Sequence, residues 1–325
     1  MENKWKIKAA LKTGMGKVRQ NNEDAFYFNG EFLTLRAMDV ETSEQLCVPM
    51  NETLFAICDG IGGQNNGEIA SYTTVSRMPE LQQKLRNRDF GVVLQRWIQE
   101  TSKAVQSASA NGGCTLAMVY FQNNAVRIAH IGDSRVYRYH SGNLTQLTMD
   151  HSKVQMLVNA GVITPVQAKT HPQRHVITRY IGMPSDAVIC EATLGRVMPA
   201  INRDVYLLCS DGVTDMVDDD ELKNMIATSE DVTDCANSIY EAALMAGGRD
   251  NTTVIVLELQ NPEGDDALFM KEDDDDDEPT IDDETPQDRL NTTSVIDMNI
   301  TSQLLPESIS NANNLSISIK VTHSV

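Results

Sequence analysis

Four aspartates in this chain stand at the ends of apolar runs. Asp59 closes Leu54-Phe-Ala-Ile-Cys58 and is followed by Gly60, and Asp133 follows Ala125–Ile131 across a glycine. Asp211 follows Val205–Cys209 across Ser210, and Asp250 comes just before Thr252–Leu259. One Asp-Gly after a strand is ordinary turn chemistry, but four repeats of the construction suggest a shared purpose. Strand ends in one layer converge, and carboxylates gathered there repel. Some of them are then protonated, or the cluster holds cations. Oxygen donors without His or Cys suit hard octahedral ions, Mg²⁺ or Mn²⁺, better than zinc. Two such ions about 3.5–4 Å apart would share a bridging hydroxide and clamp an in-line displacement at phosphorus. Arg19 adds a planar fork that matches a phosphate's terminal oxygens.

The elements that position these groups follow from periodicity. An edge strand is expected from Lys4 to Gly14, then a connection carrying Arg19, Glu23 and Asp24, then a short strand at Ala25–Phe28. Residues 34–53 carry no readable pattern. Ile69–Arg86 reads as one helix, and Phe90, Leu94, Trp97, Ile98 and Val105 recur at helical spacing in the next. The period then becomes two, and Thr115–Phe121, Ala125–Ile131 and Arg135–His140 read as an antiparallel meander. Residues 150–183, broken by Gly161, Pro165 and Pro172, form a candidate lid. Strands at Val188–Arg196 and Val205–Cys209, helices at Asp219–Ala227 and Thr233–Ala246, and a last strand at Thr252–Leu259 complete the reading. Asp215 reads as a cap for the helix that follows it.

Charge divides the chain. Residues 261–325 hold 16 acids and 3 bases, so they contribute −13 of the net −19 and residues 1–260 only −6. The expected organisation is one domain over residues 1–260 and a disordered acidic, Ser/Thr/Asn-rich tail over 261–325. Within that tail Leu315–Val321 alternates like a strand. No basic stripe exists to displace counterions from a nucleic acid. The six cysteines lack Cys-x-x-Cys spacing and read as small buried hydrophobes. No leader-like or membrane-length apolar stretch is present, so a cytoplasmic monomer is expected.

Taken together, Arg19-x-x-x-Glu23-Asp24, Asp59-Gly-x-Gly-Gly63, Gly132-Asp-Ser-Arg135, Ser210-Asp-Gly-Val-Thr-Asp215 and Arg249-Asp-Asn251 resemble the metal-dependent type 2C serine/threonine protein phosphatases, in their bacterial form. Each motif is weak alone, and the ordered set is specific. The resemblance implies an α+β fold: two antiparallel sheets in a sandwich, flanked on each side by a pair of helices. It implies that Asp59 bridges two Mn²⁺ or Mg²⁺ ions, with the Gly60 carbonyl, Glu23 and Asp24 completing one shell and Asp211 and Asp250 holding the other ion. Asp133, with Asp211, matches the place of a weaker third ion, and residues 150–183 match the family's variable flap. Arg19 would bind the phosphate.

The expected activity is hydrolysis of phosphoserine and phosphothreonine on cytosolic proteins, opposing a serine/threonine kinase. A catalytically weak binding or regulatory protein is the alternative, and a phosphodiesterase a more distant one. One departure stands out. Family members place a histidine after the Asp-Gly pair or after the second glycine pair, and here those positions are Ile61 and Gln64. The general acid is therefore unassigned, with His151, His171 and His175 in or near the flap.

Overall fold

The computed structural model describes residues 4–62, 66–86, 88–109, 111–184 and 190–261. Its strands are β1 (Lys6–Gly14), β2 (Ala25–Phe28), β3 (Thr42–Pro49), β4 (Thr53–Cys58), β5 (Gly60–Ile61), β6 (Gly113–Cys114), β7 (Leu116–Gln122), β8 (Ala125–Ile131), β9 (Arg135–His140), β10 (Asn143–Gln146), β11 (Thr193–Leu194), β12 (Met198–Pro199), β13 (Val205–Cys209) and β14 (Thr252–Gln260). Its helices are α1 (Gly67–Ser76), α2 (Met78–Leu85), α3 (Phe90–Ala108), α4 (Lys153–Asn159), α5 (Pro165–Lys169), α6 (Asp211–Thr214), α7 (Asp219–Thr228) and α8 (Val232–Met245).

The apolar runs are continuous because both faces of their strands are covered. One sheet has the order β10-β9-β13-β14-β1-β3, and the other β11-β8-β7-β4-β2 with β12 also on β8. Every named pairing is antiparallel. Inward residues of both sheets, among them Ile7, Leu11, Phe55, Ile57, Phe121, Tyr206, Leu208 and Ile255, form the core between them. Their alternates turn outward under helices. Leu54, Ala56 and Met118 meet Leu81, Leu94 and Trp97 of α2 and α3, while Leu207 and Val254 meet Leu222, Ile239 and Tyr240 of α7 and α8. This is the expected helix-flanked sandwich.

Several local expectations need correction. β1 is an interior strand, bonded to both β14 and β3. β3 lies in the stretch that showed no pattern, because an edge strand keeps only Leu46 and Val48 against the core and leaves most of its other residues exposed. The helix expected over Ile69–Arg86 is two, since Pro79 in the first turn of α2 has no N–H to continue the ladder. The meander is broken as well. β7 and β8 pair, but β9 leaves them to join β13 in the other sheet. The strand expected over Val188–Arg196 is reduced to β11, with 185–189 outside the described residues. α7 is capped by Asp218, in a reciprocal box with Glu221, whereas Asp215 is the C-cap of α6. The tail with its Leu315–Val321 segment lies outside the described residues.

Candidate active site

Asp59 leaves β4 into a backbone clamp. Its N–H donates to Thr115 Oγ1 at 2.9 Å and its carbonyl accepts from Thr115 N–H at 2.8 Å. Thr115 Oγ1 in turn lies 2.7 Å from Ser134 Oγ, so the crossing that carries Asp133 is tied to the turn that carries Asp59. Gly60 is required by close approach. A Cβ there would stand 2.4 Å from the Gly67 carbonyl oxygen and 2.7 Å from that of Glu23, and the Gly60 N–H donates to the same Glu23 carbonyl. Gly212, after Asp211, repeats the device, with its Cβ position 2.0 Å from the Asn251 carbonyl oxygen.

The connection before β2 is held from the far end of the chain. Asn251 Oδ1 accepts from Glu23 N–H at 2.8 Å, and its amide nitrogen donates to the carbonyls of Asn21 and Met15 at 2.8 and 3.2 Å. Asp24 is buried, and its Oδ2 accepts from Ser210 and Thr253 hydroxyls, both at 2.7 Å. Ser210 is thus a donor to a carboxylate and no nucleophile. The Glu23 carboxyl stands beside Gly67, Asn21 and Glu68. Arg19 is exposed and its guanidinium donates to Asp250 Oδ2 at 2.6 Å. An exposed pair of this kind contributes only about 0–1 kcal/mol, so a phosphate could take the guanidinium over at small cost.

Electrostatically these acids form one group. Burial, then the charges of Asp211, Asp24, Asp133 and Asp250, push the Asp59 carboxyl well above the usual carboxylate range. Burial, then Asp133, Asp250, Asp215 and Asp24, do the same to Asp211. Asp24 rises to about 7, chiefly through burial and against the two hydroxyl bonds that favour its charge. Asp133 also rises to about 7, through burial and then Asp150. Glu23 is raised by burial and Glu68. Asp24, Asp133, Asp211 and Asp250 thus all lie within electrostatic reach of Asp59, with Glu23 and Arg19 at the border. The acids and histidine of the described residues whose donor atoms lie within 4.8 Å of one another are His175, Asp211 and Asp215.

Whether cations fit can be tested on the hydrogen bonds. Asp24 Oδ1 and Asp133 Oδ1 are buried without a hydrogen-bond partner. A buried carboxylate oxygen left unpaired is costly. The charges acting on Asp24 are those of Asp250 and Glu23, and at Asp133 the cation of Arg135 offsets Asp150 and Asp215 only in part. An oxygen-rich donor set with partnerless buried oxygens suits divalent cations.

A family model described as protein phosphatase 2C matches residues 14–155. A putative protein phosphatase 2C-type of Streptococcus pyogenes is 32% identical over 269 residues, covering 79% of this chain and 99% of that protein. The chain belongs to the protein phosphatase 2C family. The serine/threonine protein phosphatase PstP of Mycobacterium tuberculosis is 32% identical over 262 residues, 78% of this chain, although the chain spans only 45% of that relative's length. The solved catalytic domain of PstP, in complex with two manganese ions, matches with a TM-score of 0.63 at 31% identity over 79% of this chain and 99% of that one. Stp1 of Staphylococcus aureus matches with a TM-score of 0.61 at 29% identity, over 77% and 94%.

Within this 2C-type frame the histidine question becomes specific. Ile61 forms part of β5 and offers no proton, and Gly63 and Gln64 lie outside the described residues. His151 stacks on His130 with ring centroids 4.6 Å apart and accepts from Gly132 N–H. Burial holds its ring near pKa 4, a neutral structural group. His171 Nδ1 accepts from Gln173 N–H in its own turn. His175 reaches the acids, with Nδ1 3.5 Å from Asp215 Oδ2. Sequence reasoning missed Asn251, Thr253 and Asp215 as site residues. Asn251 and Asp215 stand inside quoted motifs, but nothing local reveals that the Asn251 amide holds residues more than two hundred positions away.

Proposed function

We propose that the chain is a metal-dependent phosphatase that hydrolyses phosphoserine and phosphothreonine on proteins. The observation that carries this is the pair of buried, partnerless oxygens on Asp24 and Asp133, set among Asp59, Asp211 and Asp250. Asp24, Asp59, the Gly60 carbonyl and Glu23 would hold one divalent ion, Asp59, Asp211 and Asp250 another, and Asp133 with Asp211 a weaker third. Such ions, Mn²⁺ or Mg²⁺, lower the pKa of coordinated water and draw charge from phosphoryl oxygens. The manganese-bound relative supports this choice.

The chain's own residues have definable tasks. Arg19 exchanges Asp250 for two terminal oxygens of the phosphate and turns the phosphorus toward the acids. Thr115 and Ser134 fix Asp59 against Asp133, and Asn251 fixes the loop bearing Glu23, so the cage exists before substrate arrives. No side chain at position 61 protonates the departing alkoxide, a service typically contributing about 10²–10⁴-fold. Turnover is therefore expected to depend steeply on leaving-group pKa.

The substrates are phosphorylated proteins, and the reaction opposes a serine/threonine kinase. We place the protein in the cytoplasm as a monomer, in line with six cysteines that all stand free of disulfides. The test is Mn²⁺-dependent release of phosphate from a phosphothreonine peptide, compared with a phosphodiester. Turnover of the peptide that vanishes in Asp59→Ala supports the reading. Binding of the peptide without turnover would favour the regulatory alternative.

A further inference from the structure

Two loops from opposite ends of the described chain meet at Arg19 and Asp250. The Lys17 N–H donates to the Gly248 carbonyl at 2.7 Å, which fixes one loop against the other. Two long cationic side chains are placed by that contact. Lys17 Cγ lies 3.2 Å from the Cβ position of Gly248, and Arg249 Cγ and Nε lie 3.6 and 3.7 Å from that of Gly247. Lys17 and Arg249 thus start from one Gly-Gly turn. Lys17 stands two residues before Arg19, and Arg249 directly before Asp250, the partner of Arg19 at 2.6 Å.

The three cations are not equivalent. Arg19 lies in the field of Asp250, Glu23 and Asp59 and is the group that meets the phosphate. Lys17 and Arg249 are exposed, and neither has an ion pair or a side-chain hydrogen bond with another described residue. Their charges are therefore free for a ligand that reaches Arg19 at the same time. An extended peptide advances about 3.3–3.6 Å per residue, so a side chain two places from the phosphorylated residue is only about 7 Å along the chain and on the same face. That distance is within the span of a lysine or arginine side chain.

We propose that Lys17 and Arg249 form an anion subsite beside Arg19 that takes a carboxylate one or two residues from the phosphorylated residue, so that acidic phosphopeptide segments are the preferred substrates. The proposal rests on the phosphatase reading above and names the substrate class for that site. Arg249 offers a planar fork to the carboxylate, and Lys17 a compact point charge. Residues 1–260 carry 30 acids against 24 bases, so an acidic segment is repelled by the domain as a whole and needs local cations to be oriented. Charges at such a rim act on encounter and register, and are screened by salt. The contact is the same before and during reaction, so it belongs in KM and leaves kcat alone.

The experiment uses the full chain with Mn²⁺ and three phosphothreonine peptides that differ only in the two residues on each side, all Glu, all Ala or all Lys. The wild type should show a KM about 3–10-fold lower for the Glu peptide than for the Ala peptide at low salt, with similar kcat and a gap that closes at high salt. Lys17→Ala and Arg249→Ala should each remove part of that gap. The double variant Lys17→Glu with Arg249→Glu should reverse the order and favour the Lys peptide, while KM and kcat for p-nitrophenyl phosphate, which has no flanking residues, stay as in the wild type. Equal KM values for the three peptides in the wild type, or a Glu preference that survives the double reversal, would overturn this proposal and leave the phosphatase reading standing. Failure to turn over any of the peptides would overturn both.

Discussion

Two buried acids of the first sheet's surroundings make an instructive pair. Asp204, 1% exposed, gives one oxygen to Arg138 at 2.6 Å and the other to His140 at 2.7 Å. Asp133, almost as buried, keeps an oxygen with no partner at all. Burial alone therefore does not separate structural from functional acids. What separates them is whether the protein itself completes the hydrogen bonds. Asp204 is satisfied by donors of the chain and holds β9 to the turn before β13. Asp133 and Asp24 remain incomplete, and an incomplete buried carboxylate is a request for an external cation.

The largest effect that would test this contrast is on activity. Asp59→Ala or Asp211→Ala should lower Mn²⁺-dependent turnover at least about 100-fold, since even outer partners of metal ligands act on that scale. The metal-free melting temperature should hold steady or rise, because a repelling charge has gone. A sharp loss of stability in either variant would put these residues in the same class as Asp204. For Asp204→Ala the opposite is expected. Leaving Arg138 without its partner should cost about 3–5 kcal/mol, read as a fall in the urea midpoint with an unchanged KM in whatever folds. A neutral result would erase the distinction.

A smaller effect is expected on the pH dependence of stability. Without metal, the Asp24 and Asp133 carboxyls sit near about 7, raised by burial, against about 3.9 unfolded. Between those limits the folded state binds more protons than the unfolded state. Stability is then full below about pH 4 and is lost as pH rises through about 7, by at most about 1.4 kcal/mol per unit for each group. Urea titrations near pH 5 and near pH 7.5 should display this fall, and Mn²⁺ should flatten it. A metal-free protein that gains stability over the same interval would contradict the incomplete-acid assignment. The smallest effect belongs to Arg19→Ala. Its exposed pair with Asp250 should change stability by less than about 1 kcal/mol, while KM for a phosphopeptide rises severalfold. A large stability loss would make that pair structural.

Much of the site was legible because of how the acids are delivered. β4 and β13 are covered on both faces, so their uninterrupted apolar runs, and the acids that end them, stand out in the sequence. The less legible parts depend on partners. Alternation at Arg135–His140 reveals a strand but not its sheet, and the crossing through Gly132, Asp133 and Ser134 is set by pairing with β13. β3 has an edge strand's polar faces, so its short apolar alternation was lost among exposed residues. His175 looked like any loop histidine, because its nearness to Asp215 exists only after the flap has returned over α6.

The pairing of β1 with β14, from Lys6 opposite Gln260 to Gly14 opposite Thr252, has a consequence for how the protein is born. The strands β2, β4, β7 and β8 lie within residues 25–131, so most of one sheet can assemble while the ribosome is still at work. The other sheet must wait, with β1 made first and its central neighbour made last. At about 5–20 residues per second, β1 stands for roughly 10–50 s with that side open, a template for stray strands and a natural client for chaperones. Asn251, which fastens the loop bearing Glu23, emerges in the same late interval. A nascent chain should therefore be unable to fix the loop that bears Glu23 against the aspartate cluster until β14 has left the exit tunnel.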